Sequence, residues 1–238
     1  MATNLAGDFC IQQYGVCHLR VSRLGSNCAP LTGANNGAVS ASILTLTASP
    51  EIEEGQAYEF KNGCGVLIAN ALDCDRIKRW NLTGELLTFD YELLEIMFGG
   101  ELITGAVASS FAGEVIGWAS PGSTADCSNG AALEVWTKIS VGPGSCTPAA
   151  NPPLFTRHIF PKVVFTPGDK TFENDIARVA FTGKAVENPA WGNGAFNDYP
   201  GVYPGPLESG YFQFVEAAMP SGVTTAGCGY VTVPADAS

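Results

Sequence analysis

The chain has 238 residues, 46% of them hydrophobic and 15% charged, with a formal net charge of -11. Such a chain can bury a sizeable core without metals or disulfides, which excludes a disordered tail or a minimal disulfide scaffold. Its acidic balance excludes nucleic-acid binding driven by counterion release, and no apolar run approaches a membrane span. The 28 glycines and 15 prolines call for many turns, which fits a β protein with frequent chain reversals.

Residues 1–37 are polar and weakly patterned, and read as an N-terminal arm or long loop with one strand near 17–21. The β-branched and small run 39–48 reads as a strand. Segments 57–61 and 66–70 flank Asn62-Gly63, the signal of a two-residue hairpin turn. From 78 to 86 the alternation is clear. Trp80, Leu82 and Leu86 share one face, and Arg79, Asn81, Thr83 and Glu85 the other.

Residues 84–100 carry the one helix signal. Thr88 or Asp90 can accept hydrogen bonds from the first free N–H groups, and Asp90, Glu92 and Glu95 place negative charge near the positive end of the dipole. Leu93, Leu94, Met97 and Phe98 recur at helical spacing and form one apolar face. Gly99 is the expected stop.

Segments 113–119 and 131–141 read as another strand pair, the second with Leu133, Val135, Ile139 and Val141 on one face and Glu134, Lys138 and Ser140 on the other. The Pro/Gly/Ala stretch at 142–153 reads as a linker and is the best candidate for a long functional loop. Strands at 154–166 and 175–187 flank the turn 166–170. A second long loop, 188–206, holds Trp191, Phe196, Tyr199 and Tyr203. Strands at 211–217 and 229–233 bring the total to about nine or ten. The expected organisation is one domain, 38–238, behind the N-terminal region.

No catalytic signature is present. The two histidines, His18 and His158, are far apart, and no C-x-x-C pair, phosphate loop or G-x-S-x-G motif occurs. Cys17 and His18 are neighbours on a strand and face opposite ways, so they cannot easily share a metal. Glu92 and Glu95 read as a solvated helix face rather than a catalytic dyad. Asp73-Cys74-Asp75 lacks the glycine and distal glutamate of a calcium loop and reads as a turn. No cofactor and no enzymatic activity are expected.

Eight cysteines (Cys10, Cys17, Cys28, Cys64, Cys74, Cys127, Cys146 and Cys228) are many for a chain whose start shows no secretion signal. A particle assembled in a cytoplasm and then released reconciles the two. Cys127 and Cys146 bracket a strand spanning roughly 30 Å, too far for direct pairing. Cys64 and Cys74 lie at the ends of a strand and turn and could pair across it, although sequence does not choose among the connectivities and several cysteines read equally well as free, buried small hydrophobes.

Three stretches carry a family likeness. The first runs from Phe60-Lys61-Asn62-Gly63-Cys64-Gly65 to Asp73-Cys74-Asp75-Arg76-Ile77-Lys78-Arg79-Trp80. The second feeds that strand into Asp90-Tyr91-Glu92-Leu93-Leu94 and Gly99-Gly100. The third holds Phe181-Thr182-Gly183-Lys184-Ala185 and Asn188-Pro189-Ala190-Trp191-Gly192. Together they resemble the major tail proteins, or tail tube subunits, of long non-contractile phage tails, especially those of actinobacteriophages.

The resemblance implies a mainly β fold: a β-sandwich or partial barrel flanked by one α-helix. It implies hexameric rings stacked into a hollow tube that conducts the genome during ejection. Partners are then other copies of the chain, the tape measure protein, the tail terminator and the baseplate or tail-tip proteins. DNA passes without specific binding, no membrane is involved, and the location is the virion, assembled in the host cytoplasm. Candidate subunit-interface residues are Phe89, Tyr91, Leu94, Phe98, Trp191, Phe196, Tyr199 and Tyr203. Residues 51–100 hold ten acids against four bases, and Glu85 and Glu101 are candidate lumen-facing acids.

Two other readings stand beside it. One is a capsid decoration or other virion surface protein with an immunoglobulin-like sandwich. The other is a carbohydrate-binding module using the aromatics between Trp191 and Tyr203 as a platform.

Overall fold

A computed structural model of the chain describes residues 11–88, 90–121, 130–141, 155–169, 178–191, 210–216, 219, 223 and 228–233. In chain order the elements are β1 (Ile11–Arg23), β2 (Gly33–Ser40), β3 (Ile43–Glu53), β4 (Ala57–Lys61), β5 (Leu67–Leu72) and β6 (Arg76–Leu86). Then come α1 (Tyr91–Phe98), β7 (Glu101–Thr104), β8 (Val115–Ala119), β9 (Ala131–Val141), β10 (Phe155–Pro167), β11 (Val179–Val186), β12 (Phe212–Glu216) and β13 (Cys228–Val233). The fold is mainly β with a single helix, as the sequence leads one to expect.

Nine strands form one antiparallel sheet in the order β13-β2-β1-β9-β10-β11-β6-β3, with β12 beside the first half of β10. The strands β4 and β5, and separately β7 and β8, form two small ribbons. The large sheet is strongly curled. β2 lies near one end of the order and β3 at the other, yet only Ala41 and Ser42 join them. Three residue steps reach no more than about 10 Å, so the two ends must turn toward each other. Ser42 holds this corner: its N–H donates to Ser40 Oγ at 3.2 Å, and its carbonyl accepts from Leu87 N at 2.9 Å, just past β6.

Alternation along each strand then sends one set of side chains inside the curl. Leu19 and Val21 of β1, Leu133 and Val135 of β9, and Phe160 of β10 meet Leu82 and Leu86 of β6 and Phe181 of β11. Gly84 is required at the tightest point, because a Cβ there would lie 2.4 Å from the Phe181 ring. The helix fills the open side, burying Leu93, Leu94, Ile96 and Met97 in the same core.

The helix ends match the sequence. Asp90 is the N-cap, its Oδ1 accepting from the N–H groups of Glu92 and Leu93 at 3.2 Å each. Its Oδ2 accepts from Gly229 N at 2.7 Å, so the same carboxylate ties the helix to the edge strand β13. Gly99 stops the helix at φ 73, with ψ -161 rather than the fully left-handed value. Arg23, Glu95 and Tyr230 add a second tie, the Tyr230 hydroxyl donating to Glu95 at 3.0 Å. Burial, reinforced by the Glu95 carboxylate, pushes the Tyr230 phenol up to about 12.

The second face of the sheet is also covered, and it carries a buried charge. Glu134, on the face opposite Leu133 and Val135, is fully buried between Arg20 and Arg157. Arg157 Nε donates to Glu134 Oε1 at 3.0 Å, and both guanidinium groups lie over the Trp136 ring, at 5.2 Å and 5.6 Å. Burial alone would raise the Glu134 carboxyl. The two guanidinium groups outweigh it and hold the carboxyl below its ordinary value. Around this triad Ala132, Ile159, Trp191 and Val233 form one apolar cluster, and Val39, Trp136, Phe155, Val223 and Val231 form another.

Several sequence expectations change. Residues 11–37 are not an arm or loop: they supply β1, central in the sheet, and the start of β2. Bulges between Tyr14 and His18 break the alternation of β1, which hides it from pattern reading. The run 39–48 is not one strand but the end of β2, the corner and the start of β3. Strand β8 pairs with β7, and β9 with β1 and β10, so 113–119 and 131–141 are not partners. The paired strands expected on either side of residues 166–170 are present as β10 and β11.

Candidate assembly surface

Strands β3 and β6 pair from Ile43 and Leu86 outward to Glu53 and Arg76, and the excursion continues as the β4–β5 ribbon. The chain from 43 to 86 is thus one long hairpin. Its root is stitched into the curl and its far part projects from it: every residue from 52 to 78 is exposed except half-buried Gly55.

The root is fixed by Arg79, which donates to both carboxylate oxygens of Glu51 at 2.6 Å and 2.8 Å, with Asn81 adding a bond at 3.2 Å. The hydrogen bonds from Arg79 hold the Glu51 carboxyl below its ordinary value. At the joint between the two ribbons, Gly55 N donates to Asp75 Oδ1 at 2.8 Å and Asp73 N donates to the Gln56 carbonyl at 3.0 Å. A Cβ at Gly55 would lie 1.8 Å from the Asp73 carbonyl oxygen, so only glycine permits this approach.

The tip is a five-residue loop, 62–66, rather than the expected two-residue turn. Asn62 organises it: its side-chain oxygen accepts from the N–H groups of Cys64 and Val66 at 3.0 Å and 2.9 Å. The asparagine signal was correct for a turn, but its side-chain bonds favour a wider one.

Cross-strand register gives the ribbon two unlike faces. Tyr58 lies opposite Ala71, and Phe60 opposite Ala69, so one face carries both aromatics, with the Tyr58 hydroxyl donating to the Gln56 side chain at 2.8 Å. The other carries Ala57, Glu59, Asn70 and Leu72. Phe60 is 62% exposed and Tyr58 42%. A two-stranded ribbon is marginal in water by itself, and an uncovered apolar face marks a surface meant for contact. Among the described residues three strands of the sheet, β3, β12 and β13, are paired on one side only.

The residues singled out from sequence fall in different places. Leu94 and Trp191 are buried within the protomer, at 2% and 0% exposure, and this corrects their expected place on a subunit interface. Tyr91 and Phe98 are half-buried on α1, Phe98 packing at 6.1 Å against Trp118. Phe89, Phe196, Tyr199 and Tyr203, and the loop 142–153, lie outside the described residues. Glu85 faces outward from β6, with Arg178 donating to it at 3.4 Å, and Glu101 is exposed on β7.

Cys64 and Cys74 are exposed, free thiols, not a disulfide. They sit beyond opposite ends of β5, whose six residues span roughly 20 Å, far more than the ~7 Å a disulfide allows. The arm's apolar face went unread because it alternates aromatic and small residues along two strands, and only their register joins them.

Comparison of the sequence with protein-family models and with curated proteins finds no match.

Proposed function

We propose that this chain is a structural virion protein, the subunit of a phage tail tube, that self-assembles into stacked hexameric rings and conducts the genome during ejection. The projecting arm carries the proposal. Its exposed aromatic face belongs to a chain whose described residues also leave strands β3, β12 and β13 paired on one side only, as a subunit completed by its neighbours requires. The sequence resemblance supplies the ring and tube. The acidic balance of the chain suits a lumen past which DNA phosphates slide instead of sticking.

In this reading the protein has no active site and no cofactor. Its partners are other copies of itself, the tape measure protein, the terminator and the tail-tip proteins. Negative-stain electron microscopy of purified protein at rising concentration, with light scattering, tests it. Rings or hollow tubes of constant width are expected, and Phe60→Asp abolishes them without lowering Tm. Dispersed particles at every concentration, with and without tail-tip proteins as nuclei, refute it.

A further inference from the structure

We propose that Cys28 and Lys162 form an oxidation site: peroxide converts the thiol to a sulfenic acid, and the lysine amine captures it as a covalent sulfur–nitrogen link between β10 and the β1–β2 turn. The site stands apart from the tube reading and holds whatever the chain builds.

Two nucleophiles 134 residues apart meet here, with Lys162 Nζ donating to Cys28 Sγ at 3.1 Å. The fold sets this contact from both sides. Cys28 sits in the turn between β1 and β2, where Gly25 N donates to the Ala29 carbonyl at 2.8 Å and Cys28 N to the Gly25 carbonyl at 2.9 Å. Its φ is 62, in the left-handed region that a residue with a side chain keeps only when its surroundings hold it there. Fully buried Asn188 supplies the hold. Its side-chain amide donates to the Cys28 carbonyl at 2.9 Å and to the Pro161 carbonyl at 3.1 Å. One amide thus registers the turn against the residue that precedes Lys162. Lys162 lies in the β10 bulge between Phe160 and Val163, where pairing with β9 is interrupted and a side chain is re-aimed.

The pairing is selective. Among the described free thiols, Cys17, Cys28, Cys64 and Cys74, only the Cys28 sulfur has an amine against it. Both members of the pair are half-buried, which admits a small oxidant and keeps bulkier thiols from the oxidised sulfur. The flexible four-carbon stem of lysine closes the remaining gap without moving the backbone.

The chemistry balances in two steps. The thiolate attacks a peroxide oxygen, an S–O bond forms, the O–O bond breaks, and the released hydroxide takes up the thiol proton as water. Sulfur gives up two electrons and the peroxide is reduced. Lys162, as the free amine, then attacks sulfur. An S–N bond forms, the S–O bond breaks, and hydroxide leaves with a proton from nitrogen as a second water. Sulfenic acids condense with nitrogen in this way, and thiols reverse the product.

The test treats the full chain with hydrogen peroxide and maps its peptides by mass spectrometry without reductant. The expected product joins the peptide carrying Cys28 to the one carrying Lys162, lighter by two hydrogens than the free pair and separated again by dithiothreitol. Closing so long a loop raises the Tm of the oxidised chain by on the order of 10 °C. Lys162→Arg leaves the unoxidised chain folded with nearly the wild-type Tm and abolishes both the link and the rise. In that variant dimedone still captures a sulfenic acid at Cys28, and Cys28→Ser loses the adduct as well. A dimedone adduct at Cys28 of the wild type with no link to Lys162 overturns the proposal. So does a Cys28 that stays reduced, or ends only in a disulfide, while Cys64 and Cys74 oxidise. Tube growth is read separately by microscopy and decides neither outcome.

Discussion

Replacing Glu134 by Gln tests the buried charge triad. The change keeps the side chain's size and removes its charge. Arg20 and Arg157 then face each other across a neutral amide at a site with no solvent exposure at Glu134. Breaking a buried pair by removing one partner costs about 3–5 kcal/mol, and here two cations lose the same anion. For a chain of this length the change lowers Tm by on the order of 10 °C. Urea unfolding followed by tryptophan fluorescence reports it directly through Trp136. Glu101→Gln, on the exposed ribbon β7, is the control and changes stability by less than about 0.5 kcal/mol.

The pH dependence carries the same signature. The folded carboxyl sits below its unfolded value, so its contribution is full above the ordinary glutamate range and is lost as pH falls through the folded value. Glu134→Gln removes that part of the acid sensitivity. If the variant loses less than about 1 kcal/mol, or keeps the wild-type acid profile, the triad does not hold the second face together.

Asp90→Ala removes the helix cap and the tie to β13 at once and lowers stability by about 1–2 kcal/mol, read by denaturant unfolding. Loss of only a few tenths would mean that the Gly229 bond and the cap contribute nothing separable. Tyr230 should titrate late in an ultraviolet phenolate titration, near the value of about 12 that burial and Glu95 impose. Because the folded phenol is raised, its contribution is full below the ordinary tyrosine range and lost as pH rises through the folded value. Tyr230→Phe removes the late phase, and an unchanged titration refutes the assignment. Charge reversal at Glu85 and Glu101 together should slow genome ejection from assembled tails without blocking tube formation. Ejection at the wild-type rate refutes a lumen position.

The amino-acid sequence by itself determined the local features that depend on neighbours in the chain. Asp90 and Gly99 bracket α1 because cap chemistry acts over three or four residues. The alternation of β6 is legible because one face meets the core and the other solvent. It failed where contacts come from afar. Glu134 lies on the face of its own strand opposite Leu133 and Val135, and only the arrival of Arg20 and Arg157 from β1 and β10 makes its burial tolerable. β1 is irregular along the chain, yet two partner strands hold it at the centre of the sheet. The arm's apolar face exists only through the register of β4 against β5. Tertiary structure alone decided these, because pairing and burial are set by residues distant in sequence and no local pattern records which strand will lie alongside.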